Sequence, residues 1–162
     1  LLLKASLHLL FLDALRREYP QAKIIYPYRD LKNVIGSLSS LQSQAKFMYG
    51  TKEDNHDIGL KCMEYIKQCT TRLIQALKTW PRENYISVSY TEMVQDPMGT
   101  MKKIYSHFNL NLTPGAEAAM QRYLEENPQN KHGKHEYTLE QFGITDEDID
   151  KNFAEYLQYF ND

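Results

Sequence analysis

An arginine and a serine eight positions apart are the residues of this sequence best suited to bind phosphate. Arg29 ends an apolar run, and Asp30 can then start a helix that carries Ser37 about two turns further on. Arginine presents a planar fork of N–H donors, and a helix start adds backbone donors with a partial positive charge. The pattern predicts an anion site. In the structural alternative, Arg29 pairs with a carboxylate and Ser37 fills a helix–sheet contact.

A second basic segment, residues 131–135, lies towards the end of the chain. It contains Lys131 and Lys134 together with two histidines and a glycine. Positive charge on a flexible backbone suits a loop that closes over a phosphate, although a solvated basic loop is an equal alternative. The histidines have no cysteines or carboxylates at metal-ligand spacing, so we expect no metal site.

Composition restricts the class of protein. The 162 residues are 42% hydrophobic and 25% charged, which predicts one globular domain over residues 1–162. A net charge of −2 gives no overall basic field for nucleic acid, so any anion site is local. Cys62 and Cys69 lie two helical turns apart, about 10 Å, which is too far for a disulfide. We therefore expect reduced thiols.

The apolar pattern predicts alternating strands and helices that would position these residues. Strands are predicted over residues 1–4, 23–28 and 85–90, and helices over 7–19, 31–47, 58–80, 97–108, 114–126 and after Thr145. This order predicts an α/β fold with a parallel sheet flanked by helices and a helical C-terminal part. The predicted strands end in Lys4, Arg29 and Tyr90. In open parallel sheets, ligands bind beyond the carboxyl ends of the strands. Alternatively, polar residues at strand ends are simply exposed to solvent.

Four segments of the chain together form one recognisable pattern. They are residues 3–9 (Leu-Lys-Ala-Ser-Leu-His-Leu), Arg29-Asp30 with Ser37, residues 88–97 (Val-Ser-Tyr-Thr-Glu-Met-Val-Gln-Asp-Pro) and residues 131–143. In this order they resemble the sulfotransferases that use 3′-phosphoadenosine 5′-phosphosulfate (PAPS) as donor. Leu31 stands where that family usually has proline. The resemblance implies a fold related to the P-loop nucleotide kinases.

The resemblance also implies roles for residues of the donor site. Arg29 and Ser37 match the pair that grips the 3′-phosphate of the donor. Tyr90 matches a tyrosine that borders the adenine pocket. Lys131 and Lys134 lie in the segment that resembles the family's basic C-terminal loop, which contacts the 3′-phosphate.

Lys4 and His8 are the catalytic candidates that the resemblance implies. Lys4 would stabilise the sulfuryl group and the leaving oxygen, and His8 would take the proton of the acceptor hydroxyl. In relatives the lysine and histidine are closer together, and other branches use a glutamate from elsewhere. Alternatively, Lys4 is a solvent-reaching lysine and His8 caps or packs the helix over residues 7–19.

The implied function is transfer of a sulfuryl group from PAPS, without a metal, to a hydroxyl or amine of a small molecule, sugar or lipid. One alternative is a nucleotide or sugar kinase of related fold, which would need a glycine-rich phosphate loop and a magnesium-binding aspartate. Another is a non-catalytic binding module that keeps the nucleotide fold. The loop over residues 49–57 could border an acceptor pocket.

The start of the sequence suggests a missing segment. The chain begins Leu-Leu-Leu-Lys, and the family's glycine-containing loop for the 5′-phosphosulfate would precede it. We therefore expect a domain that lacks its N-terminal strand and that loop. No apolar run reaches the ~20 residues of a membrane span. A Golgi-type membrane anchor is possible only upstream, and without one we expect a cytoplasmic protein of undetermined oligomeric state.

Overall fold

A computed structural model of the chain describes residues 2–128 and 137–160. Within these residues two strands, seven α-helices and three short 3-10 helices alternate along the chain. The strands are β1 (Ile24–Tyr28) and β2 (Tyr85–Ser89). The α-helices are α1 (Leu12–Glu18), α2 (Leu31–Met48), α3 (Asn55–Thr79), α4 (Tyr90–Gln95), α5 (Pro97–His107), α6 (Pro114–Glu126) and α7 (Asp146–Phe160). The 3-10 helices are Ser6–Phe11, Arg82–Asn84 and Glu140–Phe142.

The described residues form two compact units. The helical unit comprises residues 2–20, 30–80 and 137–160, and the sheet unit comprises residues 21–29 and 81–128. Each unit is assembled from segments distant in sequence. The interpretation of residues 1–162 as one domain stays a prediction.

The sheet unit is built on two parallel strands. β1 and β2 pair in register from Ile24 opposite Tyr85 to Tyr28 opposite Ser89. Behind them, two residues of β2 pack with Ile104 and Phe108 of the α5 region in one buried cluster. Burial of these apolar side chains fixes the register, because a slip of one residue would turn β2's inward side chains outward. The predicted parallel α/β arrangement is confirmed in this unit.

The predicted strand over residues 1–4 is wrong. Residues 2–5 have no regular structure, and Leu2 is 88% exposed. A short leucine run has no period of its own, and a strand is stable only when another strand pairs with it. Within the described residues, β1 pairs with β2 alone, so the leucines have no strand beside them. Lys4 therefore does not end a strand.

The helical unit is arranged around the long helix α3. α2, α7 and the 3-10 helix Glu140–Phe142 pack against α3 and bury its apolar face. The most deeply buried apolar side chains of this unit are at most 2% exposed, namely Ile35, Cys69, Leu73, Ile74, Ile144, Ile149 and Phe153. The apolar positions of α3 recur at helical spacing, and Pro81 follows the helix end, so the predicted helix over residues 58–80 is confirmed with an earlier start.

Side-chain hydrogen bonds cap four of the described helices, and the helix start predicted at Asp30 is confirmed. Asp30 accepts from the Asn33 N–H at 3.2 Å at the start of α2, and Asp96 accepts from the Gly99 N–H at 2.8 Å at the start of α5. Thr113 and Thr145 accept in the same way at α6 and α7. Each cap satisfies a backbone donor that the first helical turn leaves unpaired. The local sequence therefore determines these helix starts.

The two cysteines are free and buried, as the spacing predicts. Burial raises the pKa of both thiols, which keeps them protonated and unreactive. None of the described helices combines the length and the hydropathy needed to cross a lipid bilayer.

Candidate functional site

Arg29 and Tyr90 meet at the carboxyl edge of the two-stranded sheet. They directly follow β1 and β2, whose last residues are opposite each other in the parallel register. The guanidinium carbon of Arg29 lies 4.5 Å from the centroid of the Tyr90 ring. This distance is that of a cation–π contact. The strand pairing thus brings together two of the predicted site residues.

The contact leaves the Arg29 donors available. Arg29 is exposed and Tyr90 is half-buried, so the aromatic ring supports one face of the guanidinium. A guanidinium has its N–H donors in its plane, and stacking therefore does not consume them. Among the described residues, no carboxylate forms an ion pair with Arg29, in contrast to the structural alternative considered for it. Tyr90 itself begins α4 and does not end the strand, because Ser89 caps that helix.

Ser37 belongs to the helical unit, where it is exposed on α2, two turns after the Asp30 cap. The preceding Gly36 is buried against Tyr137: a Cβ added at Gly36 would lie 2.8 Å from the tyrosine ring. The Tyr137 hydroxyl donates to the Asn33 carbonyl oxygen at 3.1 Å. The segment that begins at Tyr137 therefore lies along the first two turns of α2. The joint role of Arg29 and Ser37 stays a prediction.

Tyr137 lies in the segment 131–143 of the resemblance, but its contact with α2 was not predicted from the sequence. The available signal was Gly36, an isolated glycine inside a helical pattern, which often marks a close approach of another segment. Lys131 and Lys134 precede Tyr137 in the chain, and both lie outside the described residues.

Lys4 and His8 lie four residues apart in the chain, at the start of the helical unit. Lys4 is exposed in the irregular segment, and His8 is half-buried within the 3-10 helix Ser6–Phe11. The His8 backbone N–H donates to the Ala5 carbonyl oxygen at 3.2 Å. Their catalytic roles stay predictions.

A cavity of about 450 Å³ adjoins the same 3-10 helix. We call it the helical-unit cavity; its lining residues lie in Ser6–Phe11, α2, α3 and the loop between α2 and α3, and are Ser6, Leu7, Leu38, Gln42, Lys46, Glu53, Ile58, Lys61, Cys62 and Tyr65. Glu53 forms ion pairs with Lys46, at 2.8 Å, and with Lys61. Hydrogen bonds from Lys46 and Lys61 hold the pKa of Glu53 at about 2. Glu53 is therefore an ionised, fixed part of the cavity wall.

The described residues contain no group of three or more His, Cys, Asp or Glu side chains placed to hold a metal ion.

Comparison with known protein families identifies the class of protein. A model of the sulfotransferase family matches residues 1–114. The chain belongs to this family. The kinase alternative is not favoured by any comparison.

Known sulfotransferases share both sequence and fold with this family member. The ω-hydroxy-β-dihydromenaquinone-9 sulfotransferases Stf3 of Mycobacterium bovis and Mycobacterium tuberculosis are each 24% identical to it over 148 residues, which are 90% of this chain and 38% of the relative. The crystal structure of sulfotransferase STF9 from Mycobacterium avium superposes with a TM-score of 0.88 at 29% identity, covering 98% of this chain and 41% of STF9.

A second crystal structure supports the same assignment. Sulfotransferase STF1 of Mycobacterium tuberculosis has a TM-score of 0.76 at 28% identity, over 94% of this chain and 39% of STF1. The predicted α/β sulfotransferase fold is therefore confirmed. This sulfotransferase-family chain spans about two fifths of the length of the relatives it matches.

Proposed function

We propose that this chain carries the 3′-phosphate-binding part of a PAPS-dependent sulfotransferase that acts on an alcohol. The observation that carries the proposal is the stacked Arg29–Tyr90 pair at the carboxyl edge of the parallel sheet. A ring-supported guanidinium whose in-plane donors the stacking leaves unused is suited to a phosphate, and the adjacent aromatic face is suited to a purine. A donor with both groups, such as PAPS, fits this pair.

Ser37 and the start of α2 add donors of the right kind. The serine hydroxyl can donate one hydrogen bond to a phosphate oxygen. The first turn of an 18-residue helix offers backbone N–H groups and the positive end of the helix dipole. We propose Ser37, together with Lys131 and Lys134 of the basic segment, as further contacts of the 3′-phosphate.

The transfer itself would be an in-line displacement at sulfur. The acceptor oxygen forms a bond to sulfur, and the bond between sulfur and the 5′-phosphate oxygen breaks. The leaving group is 3′-phosphoadenosine 5′-phosphate, and the hydroxyl proton moves to the general base. Lys4 would stabilise negative charge on the leaving oxygen. This path resembles phosphoryl transfer, in which positioning and electrostatics carry most of the catalysis.

His8 suits the role of general base better than Glu53, which lines the neighbouring cavity. A general base works best when its proton affinity suits the pH of the reaction, and histidine meets that condition near neutrality. Glu53 lines the neighbouring cavity, but its pKa of about 2 makes it a weak proton acceptor. We therefore assign the base to His8 and a structural role to Glu53.

An alcohol acceptor agrees with the relatives. Stf3 is named for ω-hydroxy-β-dihydromenaquinone-9, a molecule that bears a hydroxyl group. By analogy we propose a hydroxyl acceptor for this chain.

Calorimetric titration of the chain with 3′-phosphoadenosine 5′-phosphate and with adenosine 5′-phosphate tests the proposal. We expect tighter binding of the first, since only it carries the 3′-phosphate. Arg29→Ala should weaken that binding about 10- to 100-fold, which corresponds to loss of charged hydrogen bonds of ~1.5–3 kcal/mol. Binding of adenosine 5′-phosphate should change less.

Arg82→Ala is the matched control. Arg82 also stacks on a tyrosine of the sheet unit, at 5.4 Å from the Tyr85 ring centroid, but it precedes β2 instead of following it. Its removal should leave the nucleotide preference intact. Equal affinity for the two nucleotides in a folded chain, or equal loss in both variants, would refute the 3′-phosphate site at Arg29.

A further inference from the structure

The helical-unit cavity opens beside the segment that carries the proposed base. Ser6 and Leu7 line it, and His8 follows directly in the same 3-10 helix. A molecule in this cavity would lie next to the backbone between Lys4 and His8. All of these residues belong to one compact unit, so the cavity is complete within that unit.

Much of the cavity wall is apolar. Leu7, Leu38, Ile58 and the ring of Tyr65 face it, together with the protonated thiol of Cys62. Ile58 is only 3% exposed, so this part of the wall is also core. An apolar ligand binds favourably to such a wall because the contact removes apolar surface from water. The wall offers few hydrogen bonds to a polar ligand.

The charged wall is already paired within the protein. The two carboxylate oxygens of Glu53 are bound by different ammonium groups, one from Lys46 on α2 and one from Lys61 on α3. This arrangement ties the loop before α3 to both helices and fixes one side of the cavity. A ligand that used either lysine would have to compete with Glu53.

We propose that the helical-unit cavity binds the acceptor, and that this acceptor is an alcohol with a compact apolar body. The proposal rests on the proposed sulfuryl transfer. The apolar body lies against Leu38, Ile58 and Tyr65, and the hydroxyl points towards the segment of His8. The cavity of about 450 Å³ falls in the range of about 300–1,000 Å³ that is usual for small-molecule sites.

The same walls disfavour a sugar. Each sugar hydroxyl that enters an apolar wall loses its hydrogen bonds to water, and burial of an unpaired hydroxyl is costly. Apart from the paired ions, the polar side chains of the lining are Ser6, Gln42 and Tyr65, and the hydroxyls of Ser6 and Tyr65 already interact with each other. The sequence left small molecule, sugar and lipid open as acceptor classes, and the cavity selects the apolar alcohols among them.

Methyl NMR of the wild-type chain tests the site without any substitution. The probes are 2-naphthol and 1-octanol as apolar alcohols and methyl β-glucopyranoside as the polyol. We expect the first two to shift the methyl resonances of Ile58 and Leu38 in a saturable manner. The methyl resonance of Ile149, buried in α7 away from the cavity lining, should not move. The glucoside should bind at least about tenfold more weakly than the alcohols.

Two tryptophan substitutions on α2 provide a matched pair. Leu38→Trp fills the cavity and should weaken binding of 2-naphthol at least about tenfold, because the ligand would overlap the indole. Leu41→Trp lies on the same helix at a position that is 62% exposed and outside the lining, and it should leave the affinity unchanged.

Each result of these titrations either supports or overturns the proposal. Saturable shifts at Ile58 that Leu38→Trp abolishes would support the proposal. Absence of such shifts in the wild-type chain, equal binding of the glucoside, or equal effects of the two variants would overturn it. No nucleotide is present in these titrations, so a failed 3′-phosphate preference would leave the cavity result standing, and a failed cavity would leave the nucleotide result standing.

Discussion

Replacement of Gly59 by alanine should raise the helix propensity of α3 but create a steric overlap. We expect the overlap to cost more free energy than the propensity gains, so that the variant is less stable than the wild type. Gly59 lies in the first turns of α3 and is buried. An added Cβ would lie 2.5 Å from the carbonyl oxygen of Phe142 and 2.9 Å from the Cβ of the same residue. The facing segment cannot easily retreat, because Phe142 and Ile144 are 3% and 1% exposed.

The magnitude follows from two opposing terms. Alanine gains about 1 kcal/mol over glycine in a helix interior. Insertion of a methyl group into a packed contact costs typically ~1–3 kcal/mol, and the upper part of this range applies because the atom met is backbone. We therefore expect Gly59→Ala to lower the free energy of unfolding by about 1–2 kcal/mol.

Gly115→Ala in α6 is the matched control. Apart from its chain neighbours and the backbone of its own helix, no atom of the described residues lies within 4 Å of a Cβ built on Gly115, so the gain from a less flexible unfolded chain remains. That gain is about 0.4–1 kcal/mol. Urea unfolding followed by circular dichroism measures both variants, and 1 kcal/mol corresponds to roughly 2–4 °C in a parallel thermal scan. A Gly59→Ala chain as stable as wild type would refute the close contact between α3 and the Glu140–Phe142 helix.

Three further predictions concern the helical unit. Ile35→Ala removes three carbons from a side chain that is fully buried, and it should cost about 2–5 kcal/mol in urea unfolding, whereas Leu41→Ala on the same helix should change stability by less than about 0.5 kcal/mol. Thr145→Ala should cost about 0.5–2 kcal/mol because it removes the acceptor for the Asp148 N–H, and Thr145→Ser should retain most of that stability. Glu53→Gln should destabilise the chain near neutral pH and progressively less in acid. The pKa of Glu53 in the folded chain is about 2, below the ordinary 4.5. The stabilisation by the carboxylate is therefore complete above about pH 5 and is lost as the pH falls towards 2. Thermal midpoints of both chains across this pH range would contradict the ion triad if their difference stayed constant.

Local chemistry explains which elements could be predicted. Asp30 and Thr113 cap their helices through hydrogen bonds to residues three positions ahead, so the sequence alone contains both partners. The reduced state of Cys62 and Cys69 could also be predicted, because their helical spacing places them too far apart for a disulfide.

Non-local pairing explains what could not be predicted. Leu2 and Leu3 have strand-like composition, but a strand requires a neighbour that the sequence cannot supply, and they are exposed instead. Glu53 carries no motif, and its two lysines come from different helices.

By itself, the sequence determined the capped helix start at Asp30, the reduced cysteines and the resemblance that the family comparison then established. These depend on short-range hydrogen bonds and on the order of segments along the chain. Only the tertiary structure decided that Arg29 stacks on Tyr90, that Tyr137 lies against Gly36, and that an apolar cavity adjoins the helix of His8. The physical reason is that strand register and helix packing bring together residues far apart in sequence, and the free energy of those contacts depends on the fold as a whole.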